Sequence, residues 1–246
     1  MPLSLVVTAI ARWADGRSIL GFGELLPGAT GFVRLVAPTP SGILYPQHYL
    51  LDGWEEPRLF DLIRVEAPWA DSRSGQPETR IIDDTAWRLL ERPASRPSLI
   101  RLDRRPPDAG PLLGGPGRAV RASAGPSSSL ACIEPAAPLA VCEWDSARER
   151  YRTRLRFLHH GASYDLPLTD ERVSAALRRQ GEGVHPLDRL GCRAPHGLRL
   201  LVTLGEPFHG WRYKLVAGIL PLRTITCWRS AAYRGFDNPR AFAAGA

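Results

Sequence analysis

Lysine is almost missing from this sequence: of its 32 basic residues, 31 are arginine and one is Lys214. Such a bias fits an Ala, Gly, Pro and Arg-rich coding preference as well as a binding requirement. Position therefore carries more information than number, because a planar guanidinium placed correctly grips phosphate bidentately or stacks on a base. The four cysteines, Cys132, Cys142, Cys192 and Cys227, include no CxxC pair and no Cys/His ligand spacing. This argues against structural zinc and for buried free thiols in a reduced, cytoplasmic protein. Nowhere do about 18 apolar residues run together. Met1 to Trp13 has neither a basic n-region nor a small-residue cleavage site, so no membrane association or export is expected. GxSxG, Walker A and GxGxxG patterns are also missing, which argues against the commonest nucleotide-driven enzymes. The expectation is a non-enzymatic protein without cofactor or metal.

Turn formers are abundant, with 23 proline and 23 glycine residues in 246, favouring short strands over long helices. The net charge of +7 is uneven: residues 1–97 hold 10 arginines against 12 acids, or −2, leaving +9 for residues 98–246. A polyanion would meet the second half first. There, arginine occupies every second position at Arg148, Arg150, Arg152, Arg154 and Arg156. Side chains alternate faces along a strand, so this spacing puts five guanidinium groups on one side, over about 26 Å. Several phosphates of one strand can be reached by such a row. The competing reading is a solvated face whose arginines pair with nearby Asp and Glu.

Periodicity divides the chain into four parts. Residues 1–102 read as a first small β domain, with strands at Leu3 to Ile10, Phe32 to Ala37 and Leu59 to Ala67. Thr39 to Trp54 reads as an ordered loop with one helical turn, and Thr79 to Leu90 as a strand followed by a short helix. Residues 103–129, rich in Pro, Gly and Ser, read as a connection that buries little, with Arg104, Arg105, Arg118 and Arg121 open to a polyanion. Residues 130–225 form a second domain with strands at Ala131 to Glu134 and Leu139 to Trp144, followed by the arginine strand. A turn at His159, His160 and Gly161 leads to Ser163 to Leu168, a helix capped by Thr169 or Asp170, and strands at Leu198 to Leu204 and Trp211 to Leu220. One helix late in a strand series follows the order of an OB barrel. Residues 226–246 are a tail in which Trp228, Tyr233 and Phe236 alternate with Arg229, Arg234 and Arg240, a pattern suited to stacking on single-stranded bases, though docking on the barrel or a partner subunit is the favoured reading.

Four segments add a resemblance: Gly31 to Pro38 (GFVRLVAP), Gln76 to Trp87 (QPETRIIDDTAW), Tyr164 to Asp170 (YDLPLTD) and Leu204 to Leu220 (LGEPFHGWRYKLVAGIL). Together they resemble bacterial proteins containing a dual OB domain. The resemblance implies two consecutive OB folds and a role in nucleic-acid binding, within mobile-element or defence gene neighbourhoods; it implies no catalytic residues. On an OB barrel the arginine row would follow the phosphate backbone, with Tyr151 and Phe157 turned inward, and stacking would fall to Tyr164, Trp211 or Tyr213, with Lys214 beside them. By alternation Trp211, Tyr213 and Leu215 share one face, expected to be core, and Arg212, Lys214 and Val216 the other. Two alternatives stand beside nucleic-acid binding: a scaffold whose arginines meet an acidic protein surface, contacted through the first domain or the tail, and a nuclease using His159, His160 and nearby acids. Glu206 and His209 flank a turn, where hydrogen-bonded turn chemistry is the expected role.

Overall fold

The computed structural model describes residues 2–26, 28–71, 76–94, 101–102, 107–124, 128–190, 192 and 198–221. The tail and Cys227 lie outside them. The chain is mainly β, built as two small barrels packed on each other.

In the first barrel, β1 (Pro2–Trp13), β2 (Gly16–Leu26) and β3 (Ala29–Val36) form an antiparallel meander. After the single turn α1 (Pro46–Tyr49) come β4 (Leu62–Glu66), β5 (Trp69–Ala70), β6 (Thr79–Ile81) and β7 (Arg88–Glu91). The sheet order is β5-β6-β3-β2-β1-β4-β7, with β3 and β6 parallel. Strands β4 and β5 are nearly one run, and the Asp83 amide, just after β6, donates to the Glu66 carbonyl oxygen at 3.0 Å, so the sheet curls back on itself. Leu5, Val7, Ile19, Val33, Leu35, Ile63 and Trp87 fill the interior.

Two elements depart from expectation for identifiable reasons. Strand β2, not among the strands expected, carries Gly21 and Gly23. A Cβ on Gly23 would sit 2.3 Å from the Ser4 carbonyl oxygen, so glycine is what lets β2 lie against β1. The short helix expected before Leu90 is strand β7 instead: Trp87 is buried in the barrel, and Arg88 to Leu89 pair with β4.

The second half contains β8 (Ala119–Arg121), β9 (Leu130–Ile133), β10 (Ala136–Asp145), β11 (Arg150–His159) and β12 (Ala162–Pro167). Helix α2 (Glu171–Gln180), β13 (Gly183–Pro186), β14 (Arg199–Phe208) and β15 (Trp211–Leu220) follow. Two four-stranded sheets, β12-β11-β10-β13 and β8-β15-β14-β9, enclose one core. Strands β9 and β10 are two segments of one bent run that contributes to both sheets, and a parallel bridge from Leu168 to Val216 joins β12 to β15. This is the OB order, with the helix between the third and fourth principal strands. Asp170 caps α2: its carboxylate accepts from the Arg172 and Val173 amides, and also from the Ile219 amide at 3.0 Å. Hairpins β11–β12 and β14–β15 close on two-residue loops, His160-Gly161 and His209-Gly210, whose positive φ at both positions matches the right-handed twist of the strands.

The segment expected to bury little does more. Leu112 and Leu113 enter the second core, and β8 adds a strand beside β15. Between the barrels lies a third apolar cluster that includes Val6, Ala9 and Phe22 from one side and Leu130, Leu201 and Ala217 from the other. Strands β1 and β15 approach so closely that a Cβ on Gly218 would lie 2.7 Å from the Ala9 Cβ. Arg34, buried in β3, donates to the Gln76 side chain, to Thr203 Oγ1 and, at 3.4 Å, to the Leu204 carbonyl oxygen, which also accepts from Gln76 Nε2 at 2.9 Å. Burial pulls the Arg34 pKa down to about 10, well below the ordinary guanidinium value. Glu78 completes the seam by accepting from the Ser129 amide and hydroxyl at 2.9 and 2.7 Å. Three of the segments singled out in the sequence thus converge on one buried polar node between the barrels.

Candidate nucleic-acid interface

Strand β11 crosses the outside of the second barrel with its arginines turned to solvent and Leu155 and Phe157 turned to the core. Arg150, Arg152 and Arg156 are exposed along about 20 Å of this face. The row is shorter than the spacing implied. Arg148 sits in the turn before the strand, where Glu149 takes φ of 48°. Arg154 folds down: its Nε meets Asp165 Oδ1 at 2.7 Å, its Nη2 donates to the Asp165 carbonyl oxygen at 2.8 Å, and its side chain is 12% exposed. Arg154 is therefore a structural residue of the sheet.

Carboxylates interleave with the rest. Arg148 and Arg152 meet Asp145 at 3.1 and 3.8 Å, while Arg156 meets Glu143 at 3.8 Å and Asp165 at 3.7 Å. The Arg148 hydrogen bond and charge hold Asp145 below the usual carboxylate range, against the opposing effect of burial. Exposed pairs of this length are worth about 0–1 kcal/mol, so a phosphate can displace them. Arg118, just before β8, also reaches Asp165, at 3.5 Å. These pairs join five arginines (118, 148, 152, 154 and 156) to three carboxylates (143, 145 and 165), so the arginines outnumber their partners, and Arg150 is exposed beside them.

The other expected site residues divide in two. Tyr164 and Lys214 are buried and drop out of any surface site. Tyr164 stacks on Phe157 with centroids 5.4 Å apart, and the Lys214 ammonium lies 5.4 Å from the Tyr164 ring while donating to the Gly115 carbonyl oxygen at 2.5 Å. Burial lowers the Lys214 pKa from 10.5 to about 8. Trp211 and Tyr213, expected in the core, lie outside instead, with Arg212 and Lys214 turned inward. Alternation separates the two faces correctly, but it cannot say which is inner when the inward lysine finds its acceptor 99 residues away. Tyr151 points to the inner side as expected but lies at the rim, exposed and edge-on to Trp144 at 5.0 Å.

The two histidines at the β11–β12 turn pack on each other. His159 is buried with its ring edge-on to His160 at 4.4 Å, and His160 Nε2 accepts from the Gly110 amide at 3.2 Å. Burial, and then the neighbouring His160, lower the His159 pKa. Both rings line a cleft of about 530 Å³ with Asp108 and Glu134. Among the described residues no group of three His, Cys, Asp or Glu side chains is placed to hold a metal ion. His209 is a hairpin-loop residue packed on Phe208. Sequence reasoning missed Phe208, which is exposed and stands opposite Trp211 in the hairpin register; its only signal was the β-turn placement of GEPFHG.

Among the described residues no helix is long and apolar enough to cross a membrane. No curated protein matches the chain. Residues 3–219 match the family model described as a dual OB-containing domain, and with two closed β units in that span the chain belongs to this family.

Proposed function

We propose that the protein binds nucleic acid, without catalysing its turnover, through the outer face of the second barrel. The observation that carries this reading is the exposed row Arg150, Arg152 and Arg156, set on a rigid strand and flanked by Arg148 and Arg118. Guanidinium groups two residues apart on a strand stand about 6.6 Å from one another, a spacing on the scale of successive phosphates in an extended strand. Weak pairing with Asp145 and Glu143 keeps these side chains aligned in the absence of ligand. The first barrel, near neutral overall, stiffens this face through the Arg34 seam and leaves its own outer surface for a protein partner.

The test is a salt titration of oligonucleotide binding. Three to four phosphate contacts predict log affinity falling linearly with log salt, with a slope of about −2 to −3. An absence of binding at low salt would instead favour a scaffold whose interleaved charges meet an acidic protein.

A further inference from the structure

A second feature of the same barrel lies on β14, β15 and β8. The two-residue loop His209-Gly210 fixes the register so that Phe208 stands opposite Trp211, Trp211 opposite Arg121, and Tyr213 opposite Ala119. All these side chains are on the outer face, because Arg212 and Lys214 occupy the inner one. Phe208, Trp211 and Tyr213 are 61%, 40% and 45% exposed. Burying them in the core would have stabilised the fold, so an outward aromatic row over a filled barrel calls for an occupant. Arg121 lies over the Trp211 ring at 5.3 Å, and small Ala119 leaves the Tyr213 ring open. The one carboxylate of this hairpin, Glu206, is outnumbered by Arg118 and Arg121.

From these positions we infer that Phe208, Trp211 and Tyr213 form a base-stacking platform, and that the ligand is an unpaired nucleic-acid strand. The inference rests on the nucleic-acid reading above and narrows it. Rings two residues apart on a strand are separated by about 6.6 Å, whereas stacked bases in a duplex rise by about 3.4 Å and cover one another's faces. Only a strand whose bases have come apart can place successive bases on Trp211 and Tyr213, and such stacking tolerates any base because every base has a π face. Arg121 beside Trp211 adds a guanidinium plane to the platform. The platform also adjoins the arginine face: Arg118 precedes β8 and shares Asp165 with Arg154 and Arg156, so one strand can run from phosphate contacts on β11 to stacking contacts on β15.

The experiment measures fluorescence anisotropy of a labelled oligothymidylate of about twelve nucleotides and of a duplex of the same length. It compares the full chain with Trp211→Ala, Tyr213→Ala and Trp211→Phe, each checked for an unchanged melting temperature. Expected are tighter binding of the single strand than of the duplex, a loss of about tenfold or more for each alanine variant with the salt slope kept, and recovery of most of the affinity in Trp211→Phe. Equal binding of single strand and duplex, or alanine variants that bind like the parent, would overturn the platform while leaving the arginine reading standing. Failure of both probes to bind at low salt would overturn both.

Discussion

Replacing Arg34 by alanine tests whether the two barrels are held by the polar node or only by the apolar seam around it. Arg34 donates to Gln76, Thr203 and the Leu204 carbonyl from a nearly water-free position. Bonds from a charged donor contribute about 1.5–3 kcal/mol each, so three of them give about 5 kcal/mol or more. Against this stands the burial that draws its pKa to about 10, a penalty of about 3 kcal/mol. The difference, about 2 kcal/mol, grows by about 1–2 kcal/mol for the volume that alanine leaves unfilled. The expected loss is therefore about 3–4 kcal/mol, close to the range seen when one partner of a buried charged network is removed. For a chain of this size it corresponds to a fall of about 10 °C in melting temperature. Urea unfolding followed by tryptophan fluorescence reads it directly. Arg34→Met, which keeps most of the volume, should lose about 2 kcal/mol. A double-mutant cycle with Thr203→Val should show coupling of about 1 kcal/mol or more across the barrels. A loss under about 1 kcal/mol for Arg34→Ala, or strict additivity in the cycle, would refute the reasoning.

Gly218→Val drives a side chain into Ala9 and the Thr8 carbonyl oxygen, 2.7 and 2.9 Å from the new Cβ. A destabilisation of about 2–3 kcal/mol is expected in the same denaturation assay. Lys214 gives a pH signature: its folded pKa of about 8 lies below the ordinary 10.5, so between these values the unfolded chain holds more protons and stability rises with pH. Melting curves from pH 7 to 10.5 should show this rise, on the order of 2 kcal/mol, and Lys214→Met should flatten it.

Much of the fold is legible because hydrophobic alternation, turn chemistry and capping agree with one another. The β11–β12 hairpin, Asp170 as helix cap and the buried stripe Val173, Ala176 and Leu177 all follow from local rules. What was illegible depends on partners distant in sequence. Leu112 and Leu113 look stranded in a Pro/Gly-rich stretch, yet they complete a core whose other members begin at Ala131. Strand β2 was not among the expected strands, and the need for Gly21 and Gly23 there shows only once β1 is placed against them. At the site, the alternating arginines correctly marked an outward face. Spacing could not reveal that Arg154 would be claimed by Asp165 or that Arg148 would fall in a turn. The aromatic platform was named in part, through Trp211 and Tyr213, but assigned to the wrong side, because lysine normally faces water and here does not.

The most direct test of the central claim is oligonucleotide binding by the triple variant Arg150→Ser, Arg152→Ser, Arg156→Ser, compared with the parent across a salt series. These three exposed residues make no core contact of the kind Arg154 makes with Asp165, so the melting temperature should hold. Expected are a large loss of low-salt affinity and a log–log slope shallower by about 2. A variant that keeps the parent's affinity and slope would contradict it.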